Sequence, residues 1–299
     1  MCERLQDSSS HVRRVALVAV SQVAERGDAA VVAAVGRIVG DRDVGIRSLA
    51  LETLASVARE GDVVAISAIT DHLEDAKGVI RRSAIRALAI IGTQGDAAII
   101  RALKSSMRGC DEQAAIAALT AMSRLARRGD EVAVEAVVAR LRDDSPAVRR
   151  EALRALVALA SNNDEAIIAQ VAECLQDHHW HVRDTALRTL SAIVDRGHPA
   201  AVEAVISRLT DPEYNVRCAA VRVLASVAEH GDSCAIQALT ACMLEDAIKL
   251  DVQRALAALG RSCVAVRLPI CRGPPALTRS SPPAPLDEGA EAAAAAQAA

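Results

Sequence analysis

The chain has 299 residues, of which 52% are hydrophobic and only 1% are aromatic, with no Phe, one Trp and one Tyr. An interior of this composition has to be built from Ala, Val, Leu and Ile, and such small side chains suit closely stacked helices. The net charge of −3 excludes a global attraction to nucleic acid, so any such binding would need a local basic patch.

The cysteines and the N-terminus indicate the compartment. The eight Cys residues are scattered without a CxxC pair, which favours reduced thiols in an intracellular protein. The N-terminal MCERLQDSSS lacks the apolar segment of a signal peptide, and no run of about 18 apolar residues is available to span a membrane. We therefore expect a cytoplasmic protein without a membrane span.

A Gly-Asp dipeptide recurs at a spacing of 34 residues and defines a repeat. It stands at Gly27-Asp28, Gly61-Asp62, Gly95-Asp96, Gly129-Asp130 and Gly231-Asp232, with Asn163-Asp164 and Gly197-His198 at the two remaining positions. Gly or Asn takes the left-handed C′ position that ends one helix, and Asp caps the exposed amides of the next. Each unit is therefore predicted to be a helix, a tight turn and a second helix, in units near 7–40, 41–74, 75–108, 109–142, 143–176, 177–210 and 211–244.

A longer helix is predicted before each Gly and a shorter one after each Gly-Asp pair. In the first unit Val12, Ala16, Leu17 and Val20 share one helical face. The position of Ala16 is Ala in all seven units, which we interpret as a close approach of neighbouring backbones: Ala16, Ala50, Ala84, Ala118, Ala152, Ala186 and Ala220. One hairpin alone cannot be stable, because ordering its 34 residues costs roughly 50 kcal/mol, so the hairpins must stack.

An Asp opens the turn before most long helices, and an Arg follows six residues later. These residues are Asp7 and Arg13, Asp41 and Arg47, Asp75 and Arg81, Asp143 and Arg149, Asp177 and Arg183, and Asp211 and Arg217. In the fourth unit Gly109 and Ala115 replace both members. This joint loss predicts an Asp–Arg ladder along one edge of the stack, within or between units, with coupling between Asp177 and Arg183. The alternative is a row of arginines free to bind a ligand.

A turn Asp followed by Val-Arg-x-x-Ala, an apolar helix and Gly-Asp resembles the short HEAT-like repeats of the phycobilisome-lyase group of HEAT proteins, over about residues 5–263. Tetratricopeptide repeats share the period, but their aromatic positions are missing here, as is the T-P-L-H signature of ankyrin repeats. The resemblance implies an all-α fold, a right-handed α-solenoid of about seven helical hairpins plus a degenerate eighth, used as a binding scaffold.

Both ends of the predicted solenoid (1–263) are irregular. Residues 1–5 align with the end of a short helix, which would leave Val20 and Val23 poorly covered and suggests a fragment or a start at an internal Met. The degenerate eighth unit, 245–263, aligns with a long helix if one residue is inserted, with Asp251-Val252 in place of Val-Arg. The Pro/Ala-rich tail, 264–299, is predicted to be disordered.

Arginines recur on the predicted solvent-facing ridge of the long helices, at the positions equivalent to 14, 18, 21 and 25. They are Arg14, Arg82, Arg86, Arg127, Arg150, Arg154, Arg188 and Arg222. In HEAT-like solenoids the second helix of each hairpin lines the concave side, so the resemblance places these arginines in a basic concave groove. Their charge suits an acidic protein or peptide or a phosphate-bearing ligand. The alternative is that Arg, a good helix former, simply fills solvated positions. Asp195 and Glu229 make the last units acidic at one edge.

A second unusual stretch is 176–183, QDHHWHVR. His178, His179 and His181 with Cys174 would be candidate metal ligands, but adjacent histidines in one turn rarely converge, and no metal site or cofactor is predicted. We expect Trp180 to be exposed and to anchor a partner. Nucleic acid is disfavoured as that partner, because bases need stacking surfaces and the chain has two aromatic side chains in all.

The sequence lacks HExxH, phosphate-loop, GxGxxG and GxSxG motifs, and it has none of the His-Glu pairs that bind iron in HEAT-like deoxyhypusine hydroxylases. The leading hypothesis is a non-enzymatic scaffold for protein interaction. The alternative from another class is a lyase-like chromophore-attachment chaperone of the phycobilisome-lyase HEAT type.

Overall fold

The computed structural model describes residues 2–109, 111–244 and 247–260, and the predicted tail lies outside these residues. The described part of the chain is all helical and contains no strand. The long helices are α1 (Ser10–Val23), α3 (Val44–Val57), α5 (Gly78–Ile91), α7 (Glu112–Leu125), α9 (Pro146–Leu159), α11 (Trp180–Ile193) and α13 (Tyr214–Val227). The short helices are α2 (Ala29–Gly36), α4 (Val63–Thr70), α6 (Ala97–Ser106), α8 (Glu131–Val138), α10 (Glu165–Glu173), α12 (Pro199–Ile206) and α14 (Ser233–Ala241), and α15 (Lys249–Ala258) follows. The seven predicted hairpins are confirmed.

The turn between the two helices of a unit is built by the Gly-Asp pair, as predicted, but the Gly lies later than the C′ position. In the first unit α1 ends at Val23, the extended Ala24 follows, and Gly27 comes three residues further on with a φ of +87°. Asn163, the one substitute, also has a positive φ, at 56°. The Asp side chain caps the short helix, since the Asp28 carboxylate accepts from the amide of Ala30 at 2.9 Å.

The left-handed Gly also joins neighbouring units through its backbone. The amide of Gly27 donates to the carbonyl of Val57, at the end of the next long helix, at 2.6 Å. The equivalent bond from Gly61 reaches Ile91 at 2.7 Å. The last carbonyls of a helix have no partner within that helix, so these bonds satisfy groups that would otherwise be unpaired. The dipeptide therefore sets both the turn and the contact between units.

Long helices of successive units pack side by side in one layer, and the short helices form the second layer. The predicted Ala column lies in the contact between long helices, and its members are buried, from 6% exposed at Ala16 to 0% at Ala118. A continuous hydrophobic core passes between the layers from Leu5 to Leu259. The column is buried between packed helices, as the close approach predicts, and its need for a small residue stays a prediction.

At the N-terminal end a 3-10 turn (Cys2–Gln6) packs against α1. Because Leu5 in this turn is fully buried, Val20 is only 2% exposed, and the prediction that Val20 is poorly covered is wrong. Val23 is 70% exposed, as predicted.

The eighth unit contributes α15, in a register that differs from the predicted one-residue insertion. Gly231 donates to the carbonyl of Leu259, where Gly197 donates to Val227 in the unit before. Leu259 and Ile248 are buried like Val227 and Val216, so equivalent residues lie 32 positions apart and the unit is shorter rather than longer. The core contacts of α15, not its charged residues, determine this register.

Candidate interaction surface

In the predicted Asp–Arg ladder, Arg side chains bind Asp side chains of the next unit and backbone oxygens of their own unit. The Nε and Nη2 atoms of Arg183 donate to both carboxylate oxygens of Asp211, one unit later, at 2.8 and 2.7 Å. Its Nη1 donates to the backbone oxygen of Asp177, in its own unit, at 2.8 Å. The side-chain pairs are Arg13 with Asp41, Arg47 with Asp75, Arg81 with Asp111, Arg149 with Asp177 and Arg183 with Asp211, at shortest N to O distances of 2.7, 3.5, 2.6, 2.7 and 2.7 Å.

The remaining predicted ladder residues make local contacts. Arg217 donates to the backbone oxygen of Asp211 at 2.8 Å, and Asp7 pairs with Arg4 of its own turn at 3.4 Å. The guanidinium groups of the ladder are thus held by carboxylates and backbone oxygens, which favours a structural role over a row of arginines free for ligand.

The fourth unit interrupts this ladder on both sides. Gly109 stands where other units have the Asp that would pair with Arg81, and Arg81 pairs with Asp111 instead. Asp111 also caps α7, because its carboxylate accepts a hydrogen bond from the amide of Ala114. Ala115 supplies no guanidinium, so Asp143 pairs with Arg140, three residues earlier at the end of the fourth unit, at 3.2 Å. The joint loss therefore removes two different pairs rather than one.

Three ladder carboxylates, those of Asp41, Asp177 and Asp211, have pKa values below their usual range. Burial raises the pKa of Asp41, but the hydrogen bond from Arg13, the backbone amide of Asp43 and the charges of Arg13 and Arg47 together lower it. The same balance lowers the pKa of Asp177 and of Asp211. These three carboxylates are therefore ionised at neutral pH.

A pH dependence of stability follows from these shifts. Because the folded pKa of Asp41 lies below its unfolded value, its stabilising contribution is present above about pH 4 and is lost as the pH falls through the folded pKa. We expect Asp41→Asn to lower the free energy of unfolding at pH 7 and to have a smaller effect at pH 3, as measured by urea denaturation. Asp71→Asn, at the exposed end of α4, is the control; equal effects of Asp41→Asn at both pH values would contradict the prediction.

The ridge arginines fall into three groups in the structure. Arg14, Arg86 and Arg222 are exposed on the long helices and Arg82 and Arg150 are half-buried there, all without a hydrogen bond or ion pair to another described residue. Arg154 and Arg188 are paired within their helices, with Glu151 at 3.4 Å and Asp184 at 3.0 Å. An acidic ligand can bind the guanidinium groups of the first set without displacing a neighbouring carboxylate.

Two predicted binding residues have other surroundings. Arg127 follows the end of α7, and its side chain lies across Gly95, where a Cβ would collide with it. Trp180 is half-buried, packs against the hydrophobic core and stacks on His181 with ring centroids 3.5 Å apart. The expectation of an exposed Trp180 is wrong, because the first residue of α11 is turned onto the core.

Residues of α5 and α7 form a groove that sequence reasoning missed. It has a volume of about 370 Å³ and is lined by Arg86, Ala89, Ile90, Gln113, Ile116, Ala117, Thr120, Ala121 and Arg124. Ile90 is 51% exposed. One sequence signal could have indicated the groove: Ile116 stands where other units have Arg14, Ser48, Arg82, Arg150, Asp184 and Cys218.

The His179 and His181 side chains of the 176–183 stretch do not converge on a common site. His179 lies near Asp177 and Arg149, at 3.7 and 3.4 Å, whereas His181 stacks on Trp180. Burial raises the pKa of the Cys174 thiol to about 11, which opposes the thiolate that a metal requires. The described residues contain no group of three or more His, Cys, Asp or Glu side chains able to hold a metal ion.

Stacked helical hairpins joined by backbone bonds and an Arg–Asp ladder define an α-solenoid. The chain belongs to the HEAT-repeat family, whose profile matches residues 1–89, 134–196 and 191–260. No curated protein sequence matches it significantly. The predicted HEAT-like fold is thereby confirmed. None of the described helices is long and apolar enough to cross a membrane.

The chain is similar to many solved structures, among them an engineered protein and a phycocyanin lyase complex. The engineered protein shares 22% identity at a TM-score of 0.54, with 87% of this chain and 78% of that chain covered. The complex of CpcE and CpcF of phycocyanin lyase from Nostoc sp. PCC7120 shares 20% identity at a TM-score of 0.44, with 86% of this chain and 92% of that chain covered. The similarity to the engineered protein shows that the two chains share a fold.

Proposed function

We propose that this chain is a non-catalytic HEAT-repeat scaffold that binds an acidic segment of another protein on the outer surface of its long helices. The observation that carries this proposal is the set of unpaired guanidinium groups on the consecutive helices α5, α7 and α9: Arg82, Arg86, Arg124 and Arg150. The net charge of the chain is −3, so this positive surface is a local feature rather than a property of the whole molecule.

Arginine side chains suit such a role because the planar guanidinium binds a carboxylate through two parallel hydrogen bonds. In the ladder the chain uses the same geometry internally, between Arg149 and Asp177 at 2.7 and 2.9 Å. The guanidinium groups of Arg82, Arg86, Arg124 and Arg150 lack that internal partner, so a partner protein can supply the carboxylates. A stripe of unpaired positive charge also accelerates association with an acidic surface.

The experiment replaces Arg82, Arg86, Arg124 and Arg150 together with Glu. We expect the variant to lose the partner that the unchanged chain captures from a cell extract, with helix content by circular dichroism unchanged. The matched control replaces the exposed Arg37, Arg42, Arg101 and Arg108 with Glu, which gives the same change in net charge elsewhere. Equal capture of the partner by the unchanged chain and by the variant with the four Arg to Glu changes on α5, α7 and α9 would refute the proposal.

The lyase-like alternative predicts a different result. A chromophore or metal that copurifies with the full chain, detected by absorbance and metal analysis, would favour that class over a scaffold.

A further inference from the structure

We infer that the groove between α5 and α7 is the central contact of this surface, and that it binds a peptide with one aliphatic side chain flanked by carboxylates. This inference rests on the proposed function and specifies the chemistry of the partner. It concerns the fourth unit, in which the repeat departs from its own pattern.

The floor of the groove is apolar and accessible. Ile90 on α5 is half exposed, and Ile116 and Ala117 on α7 are partly buried and pack against the core. Ile116 occupies a position that is polar in five of the six other units, and Cys218 in the sixth. Burial of an aliphatic side chain against this floor would remove apolar surface of both partners from water. The free energy gained by such burial usually dominates at the centre of an interface.

The walls of the groove are positively charged. Arg86 and Arg124 both line it, both are exposed, and neither is bonded to another described residue. Arg82 lies one helical turn before Arg86 on the same ridge. Two carboxylates adjoin the groove, and both have partners within the chain. Glu151 accepts a hydrogen bond from the hydroxyl of Thr120 at 2.9 Å and pairs with Arg154, and Glu112 accepts hydrogen bonds from Gln113 at 3.4 Å and from the hydroxyl of Ser145 at 2.8 Å.

The corresponding surface of the later units cannot offer the same contact. Asp184 on α11 stands at the position of Ile116 and pairs with Arg188, so it presents a carboxylate where α7 presents an aliphatic side chain. An acidic ligand would be repelled by this group, and an aliphatic one would find no apolar floor. No other unit has an aliphatic side chain at this position, and Cys218 in the seventh unit is buried, so the combination of Ile116 and the two arginines belongs to α5 and α7.

The apolar floor also distinguishes a peptide from a phosphate ligand. A phosphate-rich strand would bind the arginines alone and would gain nothing from Ile116. Stacking of bases is not available here, because the only aromatic side chains of the chain are Trp180 and Tyr214, on α11 and α13. A carboxylate-flanked aliphatic side chain is the ligand that uses both the floor and the walls.

The test measures fluorescence anisotropy with the labelled peptide Gly-Ser-Glu-Glu-Leu-Glu-Glu-Ser-Gly and a second peptide in which Ser replaces Leu. We expect saturable binding of the Leu peptide by the full chain. Ile116→Ser should weaken that binding about tenfold, as should the Leu to Ser change in the peptide. The two changes together should cost little more than either alone, since they remove the same contact. Val157→Ser, at an exposed position of α9, is the matched control and should leave binding unchanged.

The outcomes separate this inference from the proposed function. If Ile116→Ser leaves binding of the Leu peptide unchanged while Arg86→Glu with Arg124→Glu abolishes it, binding is purely electrostatic, and the groove inference fails although the scaffold proposal stands. Tighter binding of a single-stranded oligonucleotide than of the Leu peptide would overturn the inference in favour of a phosphate ligand. No saturable peptide binding overturns it as well. If the variant with the four Arg to Glu changes captured its partner as well as the unchanged chain does, the proposed scaffold function itself would be refuted.

Discussion

Replacing Asp211 with Ala is expected to lower the free energy of unfolding by about 3–5 kcal/mol, because it leaves the guanidinium of Arg183 buried without its carboxylate. This pair is the most buried of the ladder, with Arg183 7% and Asp211 3% exposed. The measurement is urea denaturation followed by the fluorescence of Trp180, the single Trp, which begins the helix that carries Arg183.

A double-mutant cycle identifies the true partner of Arg183. Asp211→Ala and Arg183→Ala should be strongly non-additive, since both remove the bonds at 2.7 and 2.8 Å between the two side chains. Asp177→Ala and Arg183→Ala should be close to additive, because Arg183 meets only the backbone oxygen of Asp177. Strong coupling of Asp177 with Arg183, together with additivity of Asp211 and Arg183, would show that the side-chain ladder runs within units instead.

Replacing Ala118 with Leu is expected to destabilise the stack by about 1–3 kcal/mol, because α7 is packed between α5 and α9 and the column has no room for three more carbon atoms. Ala118 is fully buried, as are its equivalents in the neighbouring units, Ala84 and Ala152. The measurement is the free energy of unfolding from urea denaturation followed by circular dichroism.

The control for this substitution is Ala158→Leu, on the exposed side of α9. It adds the same atoms to a helix of the same length without entering the contact between helices, so stability should change by less than about 0.5 kcal/mol. If Ala118→Leu also changed the free energy of unfolding by less than about 0.5 kcal/mol, Ala would occupy this column because of its helix propensity rather than because of the close spacing of the long helices.

Local features of the repeat could be predicted well because their causes are local. The left-handed conformation of Gly27 and the cap made by Asp28 involve residues next to each other in the chain, and the apolar face of a helix follows from its own periodicity. The two-helix unit and its stacking therefore follow from the repeat alone. The position of the Gly beyond the helix end was misjudged, because the extended Ala24 precedes it.

Contacts between units were harder to predict. The 34-residue spacing makes a partner within a unit and a partner in the next unit equivalent in the sequence. The predicted coupling of the Asp177 and Arg183 side chains is wrong for this reason, since Arg183 pairs with the carboxylate of Asp211. The alignment that places Asp251-Val252 at the Val-Arg positions predicts a one-residue insertion, whereas the buried Ile248 and Leu259 determine the register of α15. Trp180 was expected to be exposed, but its orientation at the start of α11 depends on the core beneath it.

Periodicity, caps and small residues act over a few residues, so the amino-acid sequence is enough to predict a stack of Ala-spaced helical hairpins with an arginine-rich ridge. The folded chain adds which arginines are paired, that Arg127 covers Gly95, and that Ile90 and Ile116 line one groove with Arg86 and Arg124. Whether a side chain is available for binding depends on which neighbouring unit supplies a carboxylate or a methyl group at its position, and that is a property of the stacked units rather than of one repeat.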